Sequence, residues 1–325
     1  GSFELFFIHL ASTVAALLLV RRISDIAGFL RVGAVVTGVT FVGMTAFSLL
    51  AANFDPTNLP KFLLAAALQG ALTSTFVFAG TAFLAGPLGI LTFIQLLELE
   101  NPRHPLLRRL ATEAPGTYSH SLRIAGWVED LAEKVGADPL LARVQALYHD
   151  IGKVNLAEYF VENQREGANP HAKLSPKESA QVLRAHISEG LTLAQEARLP
   201  EAVSAAVPEH HGTTMMVFFW EAAKRQYKAP RQAEYRYIGP KPRSKETAIL
   251  MLADAVEAAS RSIDNPDERK IQVLIHNLFT ARIDDGQLDE APLSTREMTL
   301  LKAAFTERIM TDLHKRVKYP GRTRG

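Results

Sequence analysis

The sequence predicts an all-α protein in which a group of transmembrane helices precedes a soluble helical bundle. Three observations point there. Charged residues are scarce up to about Leu97 and frequent from Glu98 onward. The first part holds successive apolar runs of bilayer-spanning length, roughly 20 residues each. Beyond Asn101 apolar residues recur at helical spacing, and no convincing period-two alternation marks a strand.

The first span is predicted over residues 3–20, with Glu4 and His9 near its start. The second covers residues 30–52 and carries no charge after Arg31. The third covers residues 62–85 and is uncharged throughout. Gly1-Ser2 reads as a cloning remnant. An odd number of spans starting so early leads us to expect further membrane helices ahead of Phe3. Arg21, Arg22 and Arg31 separate spans one and two, the loop over residues 53–60 has no basic residue, and Arg103, Arg108 and Arg109 follow span three. The excess of Lys and Arg in cytoplasmic loops then places the soluble part in the cytoplasm. Residues 86–99 are apolar but too short to span, so a linker helix is expected there, with Pro87 near its first turn. The expected division is residues 1–85 in the membrane, 86–100 as linker and 101–325 as the soluble domain.

In the soluble part Asp138-Pro139 opens a helix reaching Tyr148, because an aspartate cap followed by proline suits a first turn. Ser175-Pro176-Lys177-Glu178 is a capping box and starts a long helix. A further helix is expected over residues 244–262. Residues 235–243, with Gly239, Pro240 and Pro242, form a loop, and Ser294 with Glu297 caps the last long helix.

The formal net charge is +2, with both signs interspersed, so nothing calls for a nucleic-acid polymer as partner. The chain has no cysteine, so any metal must be held by imidazole and carboxylate. Such groups occur on five segments: His120; His149-Asp150, followed by Ile151-Gly152-Lys153; His186 inside the helix begun at Ser175; His210-His211, followed by Gly212-Thr213-Thr214; and Asp254 in an apolar helical stretch. A lone buried histidine is more often a hydrogen-bonded core residue than a ligand, and an aspartate among apolar neighbours is costly unless paired. The ordered set in one helical domain favours a metal site. His9, His104, His276 and His314 are read as structural, and His171 is left undecided.

This order of His, His-Asp, His, His-His and Asp resembles the HD-domain phosphohydrolases with a two-metal site. More closely, the chain resembles the seven-transmembrane HD phosphodiesterases of the PgpH type, bacterial membrane proteins that degrade cyclic di-AMP. The matching stretches include Ala114-Pro115-Gly116-Thr117-Tyr118, Glu162-Asn163-Gln164, Asn169-Pro170-His171, Gly239-Pro240-Lys241-Pro242, Asp285-Gly286-Gln287 and Tyr319-Pro320-Gly321. The family usually has two consecutive histidines where this chain has Ser119-His120, and an acidic residue often stands where it has Ala172.

The resemblance implies that Asp150 bridges two divalent metal ions, manganese or iron being favoured. One ion would be completed by His120, His149 and Asp254, the other by His186, His210 and His211. It implies hydrolysis of cyclic di-AMP to the linear 5′-phosphorylated dinucleotide by a metal-activated hydroxide. Lys153 would reach a phosphate oxygen, and Thr213, Thr214, Lys241, Arg243, Lys245 and Arg261 are candidate substrate contacts. The bilayer is the other partner, and homodimerisation stays open. The alternatives are a cyclic di-GMP phosphodiesterase, a (p)ppGpp hydrolase or nucleotidase, and a nucleotide-binding membrane receptor without turnover. The first of these families carries Gly-Tyr-Pro after its paired histidines, whereas His211 here precedes Gly-Thr-Thr.

Overall fold

The computed structural model describes residues 2–20, 23, 25–85, 88–164 and 169–315. Arg21, Arg22, Pro87, His314 as a side chain, and the Tyr319-Pro320-Gly321 stretch lie outside what is described. The chain divides into two compact units, residues 1–96 and 97–325. The described residues are helical, apart from loops and one isolated antiparallel bridge between Met215 and Arg236.

The first unit consists of α1 (Ser2–Val20), α2 (Ile26–Leu50) and α3 (Leu59–Leu84). All three are long and apolar enough to cross a membrane. α2 packs against both others. Small residues allow the close approach: a side chain on Gly70 would run into Thr37 and the Gly33 carbonyl. Hydrogen bonds join the helices as well, Ser12 Oγ to Thr40 Oγ1 at 3.0 Å and Ser74 Oγ donating to the Phe29 carbonyl at 2.8 Å. Small side chains and polar contacts of this kind hold helices together where the surroundings are as apolar as leucine. Large apolar side chains such as Leu18, Leu30, Phe76 and Phe83 are left exposed.

The expected linker helix is shorter than the sequence suggested. It is α4 (Phe93–Glu100). Gly89 lies at φ +66°, a left-handed conformation that interrupts helix ahead of it.

The second unit is built around α12 (Lys245–Ser260), whose Ala248, Ile249, Leu250, Met251, Leu252, Ala253 and Val256 are all buried. Full burial of the Ile, Leu, Met and Val side chains among these contributes about 1.5–3 kcal/mol each. α6 (Pro115–Lys134), α7 (Pro139–Tyr148) and α13 (Glu268–Asp284) pack on it, α5 (Pro105–Glu113) lies on α6, and α14 (Thr295–Lys315) covers α13 and α6. α8 (Pro176–Glu196) packs on the 3₁₀ segment Ile151–Tyr159. Short helices α9 (Glu201–Ser204) and α10 (Ala206–Glu209) and the longer α11 (Val217–Gln226) complete the bundle. The expected caps are present. Asp138 accepts from Leu141 N at 3.0 Å, and Ser175 with Glu178 forms the full capping box. Ser294 with Glu297 does the same for α14.

Candidate metal centre

The candidate ligands come in pairs from two helix ends, His149-Asp150 and His210-His211, and singly from within three helices, His120, His186 and Asp254. His149 is the C-terminal cap of α7, and Asp150 follows at φ −110°, ψ 17°, where the chain changes from α-helix to 3₁₀. Gly152 is required two residues later by proximity. A Cβ there would collide with the His186 carbonyl on α8 and press on Gly190 N. The glycine thus brings the His149-Asp150 turn directly against the helix that carries His186. His210 and His211 end α10, and Gly212 reverses the chain at φ +52°, a left-handed conformation open to glycine at little cost. His120 comes from the second turn of α6 and Asp254 from the middle of α12.

The groups converge on Asp150, which is 1% exposed. Its Oδ2 lies 3.0 Å from His149 Nε2 and 3.9 Å from His120 Nε2. Its Oδ1 lies 3.7 Å from His186 Nε2 and 3.6 Å from His210 Nε2. His120 Nε2 also faces Asp254 Oδ1 at 3.1 Å. Two groups have ligand atoms close enough to share an ion, His120 with His149 and Asp150, and His186 with His210 and His211.

Four of these converging atoms are buried without a hydrogen-bond partner: His149 Nε2, Asp150 Oδ1, His186 Nε2 and His210 Nε2. Orphaned buried polar atoms are costly, and a metal ion is one remedy. The imidazoles are oriented for it. His149 Nδ1 donates to the Ala146 carbonyl at 2.7 Å, His210 Nδ1 to the Ala206 carbonyl at 3.0 Å, and His186 Nδ1 to the Leu183 carbonyl. A carbonyl can only accept, so Nδ1 keeps the proton and Nε2 presents its lone pair. His211 is placed by stacking instead, on Tyr237 at 4.1 Å and 16° and beside His210 at 4.0 Å.

The electrostatics fit cation binding. Burial keeps His186 and His210 neutral, with pKa values pushed down to about 3 and about 4, and holds His211 well below the usual imidazole range. Burial works against ionising Asp150, but neighbouring His149 and Lys153 hold its carboxyl well below the usual range. His120 is opposite in sign: burial disfavours its charge, yet hydrogen bonds with Asp254 and Glu257 raise it to about 9. Lys153 Nζ pairs with Asp150 Oδ2 and Glu162 Oε1, both at 2.8 Å, and lies over the Phe160 ring.

The candidate substrate contacts have protein partners of their own. Thr213 is held by Gln287 through both its N–H and its hydroxyl. Thr214 Oγ1 donates to the His211 carbonyl. Lys241 pairs with Asp289 at 3.4 Å and Arg243 with Glu290 at 3.1 Å. Lys245 donates to the Val135 carbonyl and pairs with Glu297. Arg261 is bound to Glu257, with Nη2 at 2.6 Å and 2.7 Å from the two oxygens. His171 lies between the Tyr159 and Phe219 rings, and its Nε2 meets the Tyr159 carbonyl at 3.0 Å. Sequence reasoning named Glu162 only as part of a matching stretch and passed over Tyr237 and Glu257. Glu257 left a usable signal, an acidic residue one helical turn after Asp254 in an apolar helix.

The family model for the HD domain matches residues 117–259. The chain is similar to the cyclic-di-AMP phosphodiesterase PgpH of Bacillus subtilis (strain 168), at 35% identity over 317 residues, 97% of this chain and 45% of that protein. It is similar to the PgpH of Listeria monocytogenes at 39% identity, over 76% of this chain and 37% of that one. The chain thus spans less than half the length of these curated relatives. Among solved structures, the L. monocytogenes PgpH HD domain in complex with cyclic-di-AMP matches with a TM-score of 0.64 and 39% identity. That match covers 65% of this chain and 99% of the domain.

Proposed function

This chain belongs to the HD-domain family, in its PgpH branch, and on that premise we propose that it is a metal-dependent phosphodiesterase opening cyclic di-AMP to the linear 5′-phosphorylated dinucleotide. The observation that carries the reading is the convergence of unpartnered buried lone pairs on Asp150. Among the alternatives, cyclic di-AMP is favoured because the matching HD domain is described in complex with that nucleotide.

His120, His149 and Asp254 would hold one divalent ion and His186, His210 and His211 the other, with an oxygen of Asp150 turned to each. Bound there, the pair would activate water near neutral pH and neutralise the phosphodiester's charge. An imidazole and carboxylate set suits manganese or iron. The chain's own part is positioning. Backbone carbonyls fix three imidazoles, and α7, α8 and α10 fix the distances between them. Lys153 stays protonated because the Asp150 and Glu162 carboxylates outweigh its burial. It offers a fixed positive charge to a non-bridging phosphate oxygen, where charge develops in the transition state.

In the cell we place the protein as a multi-pass protein of a bacterial membrane, with its HD domain in the cytoplasm. The apolar α1–α3 and the basic residues Arg31, Arg103, Arg108 and Arg109 support this. The test is incubation of the Mn²⁺-loaded chain with cyclic di-AMP and cyclic di-GMP in parallel, beside a His149→Ala/Asp150→Ala control. Conversion of cyclic di-AMP to the linear dinucleotide, lost in the control, is expected. Preference for cyclic di-GMP would overturn the substrate, and binding without turnover would overturn the activity.

A further inference from the structure

Among the metal-facing histidines with a hydrogen-bonded Nδ1, His120 differs in its anchor. His149, His186 and His210 give their Nδ1 protons to carbonyls within their own helical segments. His120 Nδ1 instead faces a carboxylate from another helix, Glu257 Oε2 at 3.2 Å. Glu257 is 2% exposed, and a bare carboxylate at that depth would be costly. Two guanidinium groups offset the cost. Arg123, one turn beyond His120 on α6, meets Oε1, and Arg261, one turn beyond Glu257, donates to both oxygens. Arg261 Nη2 lies 3.3 Å from His120 Nδ1 too, but its shorter bonds to Glu257 leave the carboxylate as acceptor for the imidazole proton. α12 therefore brackets one imidazole with two carboxylates: Asp254 lies on the Nε2 side and Glu257 on the Nδ1 side.

We propose that Glu257 is a positioning residue: it fixes the ring orientation and tautomer of His120 for the ion shared with His149, Asp150 and Asp254. The inference rests on the metal reading above. A carboxylate behind a ligating imidazole orients the ring and raises its basicity, and losing such a partner typically weakens metal binding by about 10–100-fold. Glu257 touches neither the ion nor the substrate in this role, and Arg261 serves as its brace. The other trio has no carboxylate behind it among the described residues, so the effect is confined to one of the two ions.

The experiment is a Mn²⁺ titration against a competing chelator, with metal content measured, on the full chain and on Glu257→Gln and Glu257→Asp. Wild type is expected to take up two ions. Glu257→Gln is expected to hold one of them about 10–100-fold more weakly and the other unchanged. Its kcat falls at limiting Mn²⁺ and recovers at saturation, while KM stays at the wild-type value. Glu257→Asp keeps the charge between the two arginines but retracts the carboxylate, and it shows the same single-ion loss. It decides the matter if the Gln variant does not fold. In a His120→Ala background Glu257→Gln should add no further loss. Two ions held at wild-type affinity by the variants, or an additive loss without His120, would overturn the role of Glu257 alone. A wild-type chain that takes up no ion would overturn the metal reading itself.

Discussion

Asp150 is the residue on which the candidate centre turns, because its two oxygens face different sets of imidazoles. Asp150→Asn keeps the shape and removes the charge. Uptake of both ions is therefore expected to fail, with turnover below detection, as read by metal analysis and product chromatography. Tyr237 offers a milder test. Tyr237→Phe keeps the ring stacked on His211 and should leave metal content unchanged, whereas Tyr237→Ala frees the imidazole and should lower it. Asp285 carries a pH prediction of known sign. Its hydrogen bond from Arg236 lowers its pKa, so the pair contributes stability above the ordinary carboxylate pKa of roughly 3.9. That contribution is lost as pH falls through the lower folded value. An Asp285→Asn chain should lose less stability than wild type on acidification, followed by thermal unfolding. The seven candidate ligands could be singled out in the sequence as one ordered set of imidazoles and carboxylates on five segments of a helical domain, and the metal measurements above test them as ligands. Tyr237 was not legible, since stacking across a loop leaves no periodic trace.

At the scale of elements, the centre depends on how α6 is started. Asn163 Oδ1 accepts from Gly116 N at 2.9 Å and Thr117 N at 3.1 Å, capping the helix from a distant segment. Its neighbour Glu162 accepts from Thr117 Oγ1 and from Lys153. One dipeptide thus ties the helix carrying His120 to the turn carrying Asp150. Asn163→Ala should cost about 1–2 kcal/mol of unfolding free energy in a denaturant titration, the scale of a lost N-cap. Sequence-local caps such as Ser175 and Asp138 were readable because donor and acceptor lie three residues apart. The Asn163 cap was not, since its partners are 46 and 47 residues away. For the same reason the constraint on Gly152 is not readable from its sequence neighbours, since it comes from the α8 backbone.

Across the whole molecule, the division into two units follows the change in composition near residue 97. The first unit leaves large apolar side chains such as Leu30 and Phe83 exposed, whereas the second buries a continuous apolar helix, α12. The full chain is accordingly expected to need detergent or lipid to stay dispersed. Residues 97–325 expressed alone should elute as a folded species without it, as checked by size exclusion and circular dichroism. The change in charge density was readable from composition, but the length of α4 was not, because Gly89 takes up a turn that composition does not announce.

The carbonyl-anchored imidazoles also give the emptied protein a spectroscopic fingerprint. The Nδ1 protons of His149, His186 and His210 are shielded from solvent and bonded to main-chain oxygens. They should therefore exchange slowly and resonate downfield of the amides in a proton spectrum. Stripping the ions with chelator would leave those resonances in place while freeing the opposite nitrogens, and only unfolding would erase them. A vacant but intact centre can thus be told from a collapsed one without any assay of turnover.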